Sequence, residues 1–170
     1  MSILRLPGSK AKYWLSLALV ASLVGVWSWS ASAASSPQTI TLTEVSIPKN
    51  DRPLGDFAFD RAPTAGDQFV VKNALFENGA RVGYVRVLHT FITGFGPRYD
   101  HKATVLFVAQ AQLPRGTVLM EGYGQVNADG PSTLRFPIVG GTGAYADARG
   151  YLDVRNRTET KTTLVFHLAP

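Results

Sequence analysis

The sequence predicts an all-β domain, either a closed antiparallel barrel or a β-sandwich, on three observations. Runs rich in β-branched and aromatic residues alternate with turn signals at short spacing, and no helix-period repeat interrupts them. The part of the 170-residue chain that follows an apolar N-terminal segment is long enough for one core and too short for two. Eight strands are expected: Thr39 to Ser46, Gln68 to Phe76, Arg81 to Thr93, Lys102 to Leu113, Thr117 to Val126, Ser132 to Val139, Gly150 to Arg157 and Thr162 to Leu168.

The N-terminal segment reads as an export signal. A basic start with Arg5, Lys10 and Lys12 precedes an apolar stretch from Tyr13 to Trp29, then Ala31-Ser32-Ala33 ahead of Ala34, which predicts cleavage after Ala33. An uncleaved membrane anchor is the alternative reading, because the stretch approaches spanning length. This division gives a signal peptide over residues 1–33, a small polar tether over 34–38 and the β domain over 39–170. The chain carries 17 basic and 12 acidic residues, a net charge of +5; without Arg5, Lys10 and Lys12, 14 basic groups face 12 acids, a net of +2. A nucleic-acid partner is therefore not expected, and the membrane enters only through an uncleaved leader. The absence of cysteine means that an exported domain would be held by its core without disulfides.

Turn chemistry supports the strand count. Asn78-Gly79 between two strand-like runs is a hairpin signal, and Asn127-Ala128-Asp129-Gly130-Pro131 is a longer break. Pro48 to Pro63 and Gly94 to His101 read as loops. Gly140-Gly141-Thr142-Gly143 reads as a sharp turn in which Thr142 bonds locally.

Strand parity then marks candidate site residues. Glu44 shares a face with Ile40 and Leu42; Asn73 with Phe69, Val71 and Leu75; His89 with Val85, Val87 and Phe91. Three polar groups thus fall on otherwise apolar faces. Strand-face Asn and His are more often satisfied structural groups than catalysts, and an ion pair with Arg149 or another basic residue would account for Glu44. A buried carboxylate without such a partner has a displaced pKa, as functional acids often do. His89, His101 and His167 lack metal-ligand spacing, and phosphate-binding, dinucleotide, serine-hydrolase and zinc-protease motifs are missing, so neither a metal nor a cofactor is expected.

The run from Phe136 to Tyr151, with Val139-Gly140-Gly141-Thr142-Gly143 and Ala148-Arg149-Gly150-Tyr151, resembles the signature of plant dirigent proteins. Gly66-Asp67-Gln68-Phe69 through Asn73-Ala74-Leu75-Phe76 is similar to the second strand pair of the related allene oxide cyclases. The resemblance implies an eight-stranded antiparallel closed barrel around a central apolar cavity, assembled as a homo-oligomer, a trimer or a dimer. It implies cofactor-free cyclisation or stereoselective coupling of a confined apolar substrate. Glu44 matches the first-strand acid of both families and Asn73 the polar cavity position of the second strand. His89 stands where the cyclases place a cysteine, and Ala144 where some dirigents place a second acid, for which Asp147 is the spatial substitute to check.

The expectation is an exported, secreted or periplasmic barrel directing cyclisation or coupling. Glu44 would act as acid, base or electrostatic stabiliser, His89 as a second proton-transfer group and Asn73 as an orienter. Arg149, Phe69, Val71, Val87 and Phe91 are the candidate substrate-binding residues. The alternatives are a non-catalytic carrier of a lipid or pigment and a structural envelope protein.

Overall fold

Alternating side-chain chemistry gives each strand one face that must leave water, and the sheet meets this demand by closing on itself. The computed structural model describes residues 37–95, 101–127, 133–156, 158 and 160–169. Nine strands follow in chain order: β1 (Gln38–Val45), β2 (Arg52–Leu54), β3 (Gln68–Glu77), β4 (Ala80–Phe91), β5 (Lys102–Leu113), β6 (Gly116–Asn127), β7 (Thr133–Gly141), β8 (Arg149–Asn156) and β9 (Lys161–Ala169). They pair in the order β1-β9-β8-β7-β6-β5-β4-β3-β2, every pair antiparallel, and β1 also pairs with β3, with Glu44 opposite Leu75. That last pairing makes β1 and β3 to β9 a closed eight-stranded barrel.

All eight expected strands form, with ends shifted by a few residues. β1 begins at Gln38, inside the expected tether. The ninth strand, β2, lies within the segment read as a loop. It is three residues long, contains Pro53 and pairs only with the stretch of β3 that β1 leaves uncovered, with Arg52 opposite Val70. A run this short has no periodicity to read. The hairpin at Asn78-Gly79 holds both residues at positive φ, +49° and +82°, as a primed turn requires. The expected signal peptide, its cleavage point, residues 96–100 and residues 128–132 lie outside the described residues.

The barrel has two ends. One, the base, gathers the β3–β4 and β5–β6 turns and the β7–β8 connection. Leu42, Leu75, Leu113, Val118, Ile138, Tyr145 and Leu168 fill it, all under a tenth exposed. The other end, the mouth, receives the β1–β3 connection that contains β2. Between base and mouth small residues such as Ala109 and polar ones such as Glu44 and Asn73 interrupt the large inward side chains, and the space left is the site.

Candidate functional site

The barrel encloses a cavity of about 270 Å³, at the lower end of small-ligand pockets. Its wall is aliphatic and aromatic, with Val87, Met120, Phe107, Phe136, Leu152 and Phe166 among the apolar contributors and Glu44, Asn73, His89 and Thr162 the polar ones. The parity argument is therefore correct for the three polar residues it marked: one cavity receives all of them, from β1, β3 and β4.

Glu44 and Asn73 meet because of register. Glu44 stands opposite Leu75 across the closing β1–β3 pair, which makes Asn73, two residues along the same face of β3, its diagonal neighbour. Asn73 Nδ2 donates to Glu44 Oε1 at 2.7 Å, and Asn73 Oδ1 accepts from the Ile47 N–H at 3.1 Å. The backbone donor fixes the amide orientation, since only the carbonyl oxygen can face an N–H. Burial raises the Glu44 pKa above its ordinary value, and the Asn73 bond lowers it by less. The pair is thus an acid inclined to keep its proton. Because Oε1 already accepts from Asn73, that proton belongs on Oε2. No ion pair with Arg149 forms.

His89 sits nearer the mouth, opposite Phe69 on β3. The two rings stack at 4.4 Å and 12°, and His89 meets Phe107 edge-on at 5.0 Å. Burial lowers its pKa to about 4, against a smaller upward pull from the Val87 and Phe69 backbone. The imidazole is neutral at pH 7, and its Nδ1 is buried without a hydrogen-bond partner. Asn73 and His89 lie four residues apart in β3–β4 register, about 13 Å along the strands at the usual rise, so the polar groups mark two levels of one cavity.

The candidate binding residues divide. Val71 and Val87 line the cavity. Phe69 and Phe91 do not; they stand between it and the mouth, ring centroids 5.9 Å apart. Arg149 is a correction: it opens β8 at the base, its guanidinium donates to the Ala148 carbonyl at 2.9 Å, and it forms no part of the cavity wall. Asp147, in the same exposed turn, supplies no second acid to the cavity. Thr142 bonds across to the neighbouring turn rather than locally, to the Thr117 hydroxyl at 2.6 Å and from the Thr117 N–H at 3.2 Å. Sequence reasoning also missed Thr162, opposite Glu44 on β9, and the ring wall of Phe107 and Phe136. Carrying the parity argument through β5, β7 and β9 would have found all three. Among the described residues no group of three potential ligands could hold a metal ion.

A closed eight-stranded barrel, with Glu44 and Asn73 joined across its β1–β3 seam, is the geometry on which relatedness can be judged. The profile of the family described as "Allene oxide cyclase barrel like domain" matches residues 48–168. The chain belongs to this family. No curated protein matches it in sequence. Solved structures share the barrel. A pyocyanin demethylase is 21% identical, with 76% of this chain and 99% of that one covered at a TM-score of 0.59. The Diels-Alderase AbmU from Streptomyces koyangensis is 20% identical, with 98% and 84% covered at 0.59. A pterocarpan synthase dirigent protein is 16% identical, with 79% and 94% covered at 0.57. At these identities the likeness establishes the allene oxide cyclase-like fold, and the residues inside the barrel carry the functional argument.

Proposed function

We propose that this barrel binds a small, apolar, unsaturated molecule and directs its cyclisation or stereoselective coupling. One observation carries the reading: a single carboxyl, Glu44, buried in an apolar cavity with its pKa raised and its orientation set by Asn73. A carrier of apolar molecules has no use for a buried acid, whose burial costs more than its one bond from Asn73 recovers. A cavity that closes a ring does: Glu44 Oε2–H donates a hydrogen bond or a proton to a substrate oxygen as negative charge develops there, and recovers it as the product forms. Phe107, Phe136 and the aliphatic wall confine the substrate to one folded conformer and exclude water, which suits cyclisation without a cofactor. His89, neutral at pH 7, is available as a proton acceptor at the upper level of the cavity. Structural neighbours named as Diels-Alderases and as pterocarpan synthase dirigent proteins support the reading.

The proposal includes export through residues 1–33 and self-association across the exterior of β5 to β7. There Val108, Leu119, Tyr123 and Val139 are 37% to 66% exposed. The deciding experiment starts from the small molecule that co-purifies with the protein from its own host, followed by turnover of that molecule or its precursor. Glu44→Gln is expected to fold normally and lose stereochemical control of the product. A Glu44→Gln protein that returns the same stereoisomer ratio at the same rate ends the catalytic reading and leaves the carrier.

A further inference from the structure

The connection between β2 and β3 lies over the mouth, held by side chains more than by backbone. Its backbone bonds are toward its ends: the Phe57 N–H to the Leu54 carbonyl at 3.4 Å, the Asp67 N–H to the Thr64 carbonyl at 3.1 Å, and the Gly66 N–H to the Phe91 carbonyl at 2.7 Å, with the Phe91 N–H returning to Asp67 at 2.9 Å. Among the described residues no backbone–backbone bond reaches Ala58 to Pro63. Gly55 and Gly66 bracket the segment at φ of +61° and +91°, and nothing lies within 4 Å of where either Cβ would be. Gly55 is a glycine-only position with open space around it, whereas at Gly66 turning the strap outward must break the bond to the Phe91 carbonyl. The clasp is Arg61 on Asp67: Nη2 donates to Oδ1 at 2.8 Å and Nη1 to Oδ2, while the Thr64 N–H and hydroxyl donate to Oδ2 at 2.6 and 2.9 Å. The Arg61 side chain is 42% exposed and that of Asp67 13%, so this bidentate clasp is open to solvent and salt from the Arg61 side.

What the strap inserts is aromatic. Phe57 is 5% exposed and stacks on Phe69 at 5.8 Å and 29°; Phe59, 53% exposed, meets both rings edge-on at 5.2 and 5.4 Å. Phe69 stacks in turn on His89, His89 meets Phe107, and Phe107 meets Phe136 at 4.9 Å. A run of rings therefore leads from the surface at Phe59 to the cavity wall at Phe136, and Phe57 is the member that belongs to the strap, whose clasp lies at the surface.

We infer that Phe57 is a displaceable plug that holds the place of one ring of a planar, uncharged, fused aromatic ligand. The ligand stacks on Phe69 once the strap turns outward about Gly55 and Gly66, and its remainder continues past His89 into the cavity. This rests on the reading of the barrel as a ligand-directing cavity. Planarity is set by the near-parallel Phe69 and His89 rings, which accept a further flat ring but not a puckered one. Neutrality follows from the apolar surroundings, where an added charge would be desolvated without a partner. Apparent affinity is lowered by the fraction of time the plug is seated, so removing the plug must tighten binding.

The test uses the full chain with 2-naphthol, which is flat, uncharged and fluorescent when excited beyond the tryptophan band, and decahydro-2-naphthol, its puckered counterpart. In the wild type, saturating 2-naphthol is expected to speed tryptic cleavage after Arg61 several-fold, with cleavage after Lys49 as the unchanged reference, and decahydro-2-naphthol to leave both unchanged. Phe57→Ala is expected to bind 2-naphthol about tenfold tighter, since one buried ring no longer competes. Arg61→Ala, which keeps Phe57 but removes both the clasp and the guanidinium 5.2 Å above the Phe57 ring, is expected to bind several-fold tighter and decides the matter if Phe57→Ala folds poorly. Cleavage after Arg61 that is unchanged or slowed, weaker binding by Arg61→Ala, or equal effects of the flat and puckered probes each overturn the plug. If 2-naphthol opens the strap while Glu44→Gln leaves product stereochemistry intact, the plug stands and the catalytic reading falls.

Discussion

Burial moves Glu44 and His89 in opposite directions on the pH scale, the carboxyl up and the imidazole down, so that in both the uncharged form is favoured. The consequences for stability have opposite signs. His89 has its folded pKa lowered from an ordinary 6.5 to about 4, so its contribution is complete above pH 6.5 and is lost as pH falls toward 4, because the unfolded chain takes up the proton first. The loss approaches about 3 kcal/mol at the usual energy per pKa unit. Denaturant unfolding between pH 7 and 4 is expected to show it in the wild type and not in His89→Phe, which keeps the stack on Phe69. Glu44 has its folded pKa raised, so its contribution is present below about pH 4.5 and fades as pH rises through the folded value. Glu44→Gln is therefore expected to gain stability relative to wild type as pH increases, in the same unfolding series. Asn73→Ala leaves both the Glu44 carboxyl and the Ile47 N–H without their partner; a loss of about 1–3 kcal/mol is expected.

Among the elements, the Gly140-Gly141-Thr142-Gly143 turn shows how a motif that looks chemical can be architectural. A Cβ on Gly141 would lie 2.3 Å from the Thr117 carbonyl oxygen and 2.4 Å from that of Tyr145, contacts that no side chain can make. The glycine lets the β7–β8 connection press against the β5–β6 turn, and Thr142 fastens the two through Thr117. Tyr145 is thereby turned into the base of the barrel. Gly141→Ala is expected to cost about 3 kcal/mol or more in thermal unfolding, as backbone must shift. Thr142→Val is expected to cost about 1–2 kcal/mol, and Thr142→Ser to restore most of it. Strand β6 uses the same device inside the barrel. A Cβ on Gly122 would come within 3.1 Å of the Phe136 ring, and one on Gly124 within 2.8 Å of Leu134 and 3.2 Å of Phe107. These two positions give up side chains so that the rings of β5 and β7 can form the cavity wall.

At the scale of the whole molecule the cavity is a choice of volume. A barrel of eight strands is just wide enough for its own side chains to fill it, and Ala109 and the β6 glycines are among the positions that leave it hollow. Ala109→Leu is expected to fill part of the 270 Å³ without lowering the melting temperature, and to weaken binding of the co-purifying ligand by tenfold or more, as measured by calorimetry. On the exterior, Tyr123→Arg is expected to shift any oligomer toward monomer in sedimentation equilibrium, since Tyr123 is 66% exposed on the outward face of β6, which also carries Leu119.

The sequence by itself determined the barrel strands and the inward face of the strands that carry the polar candidates. Alternation is a local property, and one residue of slip would turn Glu44, Asn73 or His89 out to water. It also fixed the hairpin at Asn78-Gly79 and the family motif, both carried by contiguous residues. Only the tertiary structure decided which marked groups meet. Glu44 reaches Asn73 through a strand pair 29 residues apart in sequence, and Arg149 is sent to the base because strand direction, not residue type, assigns it to that end. The plug was illegible for the same reason. Phe57 lies in a proline-punctuated segment with no period to read, and its role exists only where closure of the barrel brings Phe69 and His89 beneath it.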